Sequence, residues 1–237
     1  MRWKKGRRST NVDDRRGQRV GRGVKMGGGL TLLVVVAVLL LGGDPTTLLQ
    51  VVGDSPTTQT RAPTAAEDEM ADFVTVVLGY TEDTWTEIFA AAGQTYREPT
   101  LVLFTDMVQS ACGTNSAATG PFYCPPDQKV YVDLGFFREL ERIGGAGDFA
   151  QGYVVGHEVG HHVQNLVGTS SSVRQAQARS GSRAEANRLS VLMELQADCY
   201  AGVWAHHMNR RGGGAILESG DVEEGLRAAA AIGDDRL

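Results

Sequence analysis

Residues 157–161 read His-Glu-Val-Gly-His, and Glu194 stands 33 positions further on, in the run Met193-Glu194-Leu195-Gln196-Ala197-Asp198. On a helix, positions i and i+4 share a face one turn apart. His157 and His161 can therefore turn both imidazoles to one metal ion, and neutral imidazole suits zinc. Glu158 stands about 100° around the same helix. That puts it beside the ion and not on it, where it can take a proton from water. This is the mechanical logic of an HExxH site. Glu194 can supply a third ligand and leave the fourth position to water. Asp198, one turn on from Glu194, can accept the second ring N–H of a ligating histidine and fix its tautomer. The candidate centre is thus Zn2+ on His157, His161 and Glu194, with Glu158 as catalytic base and Asp198 supporting a ligand. The chemistry it would perform is hydrolysis of a peptide bond by metal-activated water. The protein would be a zinc metallopeptidase, and its partner a protein or peptide substrate.

The bland alternative is a chance His-Glu-His on a solvated face, with Glu194 and Asp198 as surface carboxylates. The flanks speak against it. Tyr153-Val154-Val155, Val163 and Leu166 frame the motif, and Leu192, Leu195, Ala197, Tyr200, Ala201 and Trp204 surround the two acids. Gly156 and Gly160 cost a helix about 1 kcal/mol each relative to Ala, so they point to close approach of another backbone or a ligand. His162 points about 100° away from His161 and reads as structural or surface. His206 and His207 suit the dipole at a helix C-terminus. One of them, or Tyr131, Tyr153 or Tyr200, is a candidate to steady the oxyanion; the sequence does not choose. A competing reading is a non-catalytic, membrane-tethered binding or scaffold protein in which the metal is only structural. A groove at an open coordination position would favour the peptidase.

These residues need helices to hold them. Helices are expected over Glu67–Leu78, from Thr84 to about Ala92, over Phe136–Ile143, from Asp148 to about Val167, from about Arg183 to Asn209 and over Asp221–Ile232. Thr84-Trp85-Thr86-Glu87 reads as a capping box, and the Thr/Ser run 169–172 reads as a break. Thr100–Thr105 and Lys129–Leu134 read as strands, separated by a long loop over 106–128. Lys129–Leu134 is the expected edge strand that holds extended substrate by strand addition. The fold class is α+β, mainly helical, with a small sheet.

The chain has 237 residues and a net charge of −5, unevenly spread. Residues 1–25 hold ten Lys or Arg and two acids. The remaining 13 basic and 26 acidic side chains leave the rest at −13. Residues 26–43 carry no charge and include the aliphatic run Leu30–Leu41. That is the short end of the roughly 17–25 residues needed to span a bilayer. A cleaved signal fits less well, because the charged segment is long and no A-x-A site follows. The expected organisation is a basic cytoplasmic arm (1–25), a transmembrane helix (26–43), a flexible Thr/Pro/Ser-rich stalk (44–66) and a metallopeptidase domain (67–237). The basic flank predicts a single-pass protein of the cell membrane with a cytoplasmic N-terminus and an extracytoplasmic catalytic domain. The apolar run argues against a nucleic-acid partner for the arm. An exported domain tolerates disulfides; Cys112 and Cys124 make the best pair and leave Cys199 over.

The segments Met1-Arg2-Trp3, Arg7-Arg8-Ser9, Asn11-Val12 and Asp14-Arg15-Arg16-Gly17 resemble the bacterial family of putative neutral zinc metallopeptidases. So do Ala118–Pro125 (ATGPFYCP), Lys129-Val130-Tyr131, His157–His162 and Glu194–Gly202 (ELQADCYAG). The similarity covers nearly the whole chain outside the stalk. It implies a zincin-like, membrane-tethered domain in which His157 and His161 are ligands, Glu158 is the base and Glu194 is the third ligand. It implies no particular substrate.

Overall fold

A computed structural model of the chain describes residues 1–18 and 62–232. The elements in order are β1 (Val12–Asp14), α1 (Ala65–Ala91), β2 (Thr100–Phe104), β3 (Met107–Ser110), β4 (Gly113–Ser116), β5 (Phe122–Cys124), β6 (Lys129–Asp133), α2 (Gly135–Arg142), α3 (Asp148–Leu166), α4 (Thr169–Arg179), α5 (Arg183–Arg211) and α6 (Asp221–Ile232). The fold is α+β and mainly helical, with two small sheets. The predicted spanning helix 26–43 and nearly all of the predicted stalk lie outside the described residues. Among the described residues no helix is long and apolar enough to cross a membrane.

The larger sheet has the order β1-β2-β6-β5. β1, β2 and β6 are parallel, and β5 runs antiparallel to β6. Alternate residues divide between its two faces. Leu101, Leu103, Val130 and Val132 join the main core with the helices, while Val102, Phe104 and Tyr131 form a smaller cluster with Val108 and Cys124. β6 was expected to be the edge, but it is paired on both sides, so its backbone has no free row for a substrate. The edges of the sheet are β1 and β5, and β5 is the one that packs on the helix Asp148–Leu166. The β3–β4 hairpin and β5 fall where a long loop was expected; these strands are three or four residues long, too short for alternation to show. The disulfide Cys112–Cys124 joins the hairpin turn to β5, as the sequence suggested. Cys199 is free and exposed.

α1 is one helix, not two. Its capping box is Thr64 with Glu67: the Thr64 hydroxyl accepts from the Glu67 N–H, and the Glu67 carboxylate accepts from the Thr64 N–H. The expected box at Thr84 is absent because Thr84 is buried in mid-helix. Gly79, near the expected gap, serves close packing instead. A Cβ there would lie 2.4 Å from the Arg7 carbonyl oxygen, so the N-terminal segment can cross α1 at that point.

That crossing corrects the reading of the N-terminus as a separate basic arm. Met1–Gln18 belongs to the same compact unit as the chain from Pro63 onward. Met1 and Trp3 are buried in the main core, and β1 pairs with β2. The charge of the segment is spent on α1. Arg7 donates to Glu82 and Asp83, and Arg8 to both carboxylate oxygens of Asp72. Arg16 binds Asp14 and Asp68. Glu82 is fully buried and accepts from Ser9, Asn11 and Arg7. Residues 1–18 therefore fold as part of the same unit as the chain from Pro63 onward.

The motif helix α3 lies in the middle of the core, against α5, α6 and α1. Its two glycines permit this. A Cβ at Gly156 would lie 2.7 Å from the Trp204 ring, and one at Gly160 would lie 3.0 Å from the Ala197 carbonyl oxygen. The close approach inferred from the sequence is thus to α5. Replacing Gly156 with alanine forces a methyl against a fully buried indole. Despite the better helix propensity, Gly156→Ala is expected to destabilise the domain by about 1–3 kcal/mol, read as a lowered midpoint in denaturant unfolding.

Candidate metal centre

α3 presents His157 and His161 on one face, and α5 crosses that face to deliver Glu194. His157 Nε2 lies 3.2 Å and His161 Nε2 3.3 Å from the same oxygen of Glu194. The three donors lie within 4.8 Å of one another. In a tetrahedral shell with ligands about 2.0–2.1 Å from zinc, ligand atoms stand about 3.4 Å apart. Both imidazole–carboxylate distances match that spacing, so the donor set suits zinc. No fourth His, Cys, Asp or Glu belongs to this group among the described residues.

Both ring Nδ1 atoms face away from the donors and are fixed by α5 or by residues bound to it. His157 Nδ1 lies 2.8 Å from Asp198, the residue expected in that role. Tyr153 donates its hydroxyl to the same oxygen. His161 Nδ1 lies 2.9 Å from the Gln164 side-chain oxygen. The Gln164 amide in turn donates to the Met193 carbonyl and to Gln196. With Nδ1 held as the N–H, each Nε2 keeps its lone pair for a metal. The local electrostatics also favour positive charge. Burial alone would lower the His157 pKa, but hydrogen bonds to Asp198 and Glu194 push it up to about 10. Burial would raise Glu194, yet its bonds to the two imidazoles bring it down to about 2.

The donors line a cavity of about 410 Å3. Glu158 is 8% exposed, lines the same cavity and makes no hydrogen bond with any described residue. Opposite it stand β5 and the turn before it, through Thr119, Gly120, Pro121, Phe122 and Tyr123. Phe136, Val154 and Ile232 supply apolar wall.

His162 is not a ligand. It is fully buried, with Nε2 2.6 Å from the Arg97 carbonyl and Nδ1 3.0 Å from the Tyr123 hydroxyl. Burial lowers its pKa to about 4. The ring is therefore neutral, donating from Nε2 and accepting at Nδ1. Tyr123 also accepts from Asn165, and burial pushes its pKa up to about 12. The hydroxyl of this cavity tyrosine is thus committed to holding β5 against α3. None of the oxyanion candidates Tyr131, Tyr153, Tyr200, His206 and His207 lines the cavity. Tyr131 donates to Asp127, and Tyr200 packs edge-on against Trp85. Leu192 and Leu195, offered as evidence of a covered face around Glu194, are more than half exposed; the burial begins at Ala197.

Tyr123 and Gln164 were given no role from the sequence, and Tyr153 was a candidate for a different one, steadying the oxyanion, whereas it bonds Asp198. Gln164 stands three residues after His161, a spacing that places two side chains together on a helix, so its role had a detectable signal. Tyr123 had none beyond its place in a Pro-flanked segment. Asp198→Ala and Gln164→Ala are each expected to weaken Zn2+ binding by about 10–100-fold, measured by competition with a chromophoric chelator. Unchanged affinity in both would show that these bonds do not orient the rings.

Comparison with known proteins agrees with this geometry. The family model described as "Putative neutral zinc metallopeptidase" matches residues 1–237. The chain is 49% identical over 247 residues to the uncharacterized protein YpfJ of Escherichia coli K12, covering 100% of this chain and 85% of that protein. It is 45% identical over 152 residues to the uncharacterized protein Rv2575 of Mycobacterium tuberculosis, covering 60% of this chain and 50% of that one. No solved structure matches the chain significantly. With its whole length matched, the chain belongs to the family of putative neutral zinc metallopeptidases.

Proposed function

We propose that the protein is a membrane-attached zinc endopeptidase whose metal is held by His157, His161 and Glu194. The observation that carries this reading is the convergence of three donor atoms, with no fourth among the described residues, at a cavity of about 410 Å3. A structural zinc site is normally closed by a fourth protein ligand. An open set facing a groove is what hydrolysis requires.

Bound there, zinc supplies Lewis acidity toward the scissile carbonyl and lowers the pKa of water. Glu158 receives the water proton on its carboxylate and passes it to the leaving amine. Its lack of hydrogen bonds leaves that carboxylate available to water and substrate. Asp198 and Gln164 hold the imidazoles in register. β5 offers its free backbone edge to an extended peptide by strand addition, and the His162–Tyr123–Asn165 bonds fix the distance of that edge from α3. Glu158→Gln is expected to keep zinc bound and to lower peptide hydrolysis at least about 100-fold. Undiminished proteolysis with zinc in place would overturn the role of Glu158.

Residues 26–43 are proposed as the membrane attachment, with residues 1–18 and the domain together on the extracytoplasmic side, where the Cys112–Cys124 disulfide is at home. A cysteine placed at exposed Lys5 and the native exposed Cys199 are expected to react alike with a membrane-impermeant maleimide on intact cells. Labelling of one without the other would separate the two segments and reject this arrangement.

A further inference from the structure

A second cavity, of about 260 Å3, adjoins the metal centre on the far side of Tyr123 and shares Tyr123, His161 and Glu194 with the first. Its outer wall is α4 and the start of α5, and Arg174 lines it. Arg174 is exposed and makes no hydrogen bond or ion pair with any described residue. The Gln177 amide beside it already donates to Ala186 and Ser190. Glu194, the carboxylate lining the cavity, is committed to the two imidazoles. The wall is cationic as a whole. Residues 169–192 hold four arginines (174, 179, 183 and 188) and one acid, Glu185, in a chain of net charge −5. All four arginines are exposed, and Glu185 is occupied by the Gly181 N–H.

The position of this cavity along β5 sets its place on a substrate. β5 runs from Phe122, at the metal cavity, to Cys124, next to Pro125 in the second cavity. A peptide added antiparallel to this edge, the more stable pairing, has its amino-terminal part at Pro125 and its carboxyl-terminal part at Gly120. Resting on the peptidase reading, we propose that the second cavity is a specificity subsite that takes an Asp or Glu side chain from the amino-terminal side of the scissile bond, with Arg174 as its contact. The other three arginines draw acidic peptides toward it, an attraction that added salt weakens.

The test uses the full chain loaded with zinc and fluorescent peptides in which Glu, Gln or Lys is scanned across a neutral sequence. Binding is read by anisotropy on the Glu158→Gln protein, and cleavage positions by mass spectrometry on the unmodified one. Glu peptides are expected to bind about tenfold more tightly than their Lys counterparts, with cuts on the carboxyl side of the acid. Arg174→Gln levels the ranking and Arg174→Glu inverts it, at unchanged zinc content and melting temperature. The same ranking in all three proteins, or selection of acids on the carboxyl-terminal side of the cut, overturns the subsite. Acid-selective binding without cleavage would leave the subsite standing and reject the peptidase. Cleavage without acid selectivity would do the reverse, and absence of both binding and cleavage would reject both.

Discussion

The centre depends on how closely two helices approach. Two histidines on α3 share a face by helical geometry alone, but the third donor must come from another element. A carboxylate is short, so the α5 backbone must nearly touch α3 if Glu194 is to reach both imidazoles. Gly160 permits this by leaving the Ala197 carbonyl free to pass where a Cβ would stand. Gly156 does the same for the Trp204 ring. The helix propensity lost at two mid-helix glycines is offset by the burial of Trp204, Ala197 and Ala201 against α3. The same contact delivers Asp198 to His157 and the Met193 carbonyl to Gln164. One helix crossing thereby places the third donor and locks the first two.

The catalytic face needs a second fixed distance, from the metal donors to the strand that would carry substrate. A three-residue edge strand has little to hold it. Here β5 is held by its pairing with β6, by the Cys112–Cys124 disulfide and by the Tyr123 hydroxyl, which reaches His162 on α3. His162 follows a ligand in sequence and therefore points off the donor face. That is the direction needed to reach the sheet. Consecutive residues of one helix thus serve the metal and the strand. His162 stays neutral through burial, so this link does not change with protonation near neutral pH.

How far the sequence could be read follows the physics of each signal. The helical spacing of His157 and His161, and of Glu194 and Asp198, is local, and the structure brings these residues together as expected. α6 and the starts of α3 and α5 fall where they were expected, although Asp148 opens α3 without capping it: the N-cap is Gly147, with no side-chain bond. What was missed is set by long-range contact. A break was expected between Leu78 and Thr84 because the tertiary roles of Gly79 and Thr84, passage of residues 7–9 and burial, leave no local mark. Gly168 does end α3, but the hydroxyls of Ser171 and Ser172 accept helical geometry by bonding the Gly168 carbonyl, so a run that looked like a loop starts α4. β6 was expected to be the edge because nothing local marks its pairing: β2 is distant in sequence, and β5, only four residues upstream, is a three-residue strand too short to be read.

The N-terminal segment shows why charge composition alone does not reveal whether a basic segment is free or folded. Ten basic residues among the first 25 look like a free cationic arm, and a free arm would obey the preference of positive charge for the cytoplasmic face. In the fold, Arg7, Arg8, Arg15 and Arg16 each sit on a carboxylate within the domain. Charge neutralised in this way no longer discriminates between the two faces of a membrane. Of the arginines with no ion pair among the described residues, Arg174, Arg179, Arg183 and Arg188 lie together on α4 and the start of α5, with Arg174 in the cavity that adjoins the metal centre. Excess acid elsewhere in the chain makes that cluster the local exception. A positive wall at the mouth of a cleft attracts substrates of opposite charge over about a Debye length. On the proposed subsite, the basic residues that bear on substrate are those next to the cleft, while Arg7, Arg8, Arg15 and Arg16 help to close the fold.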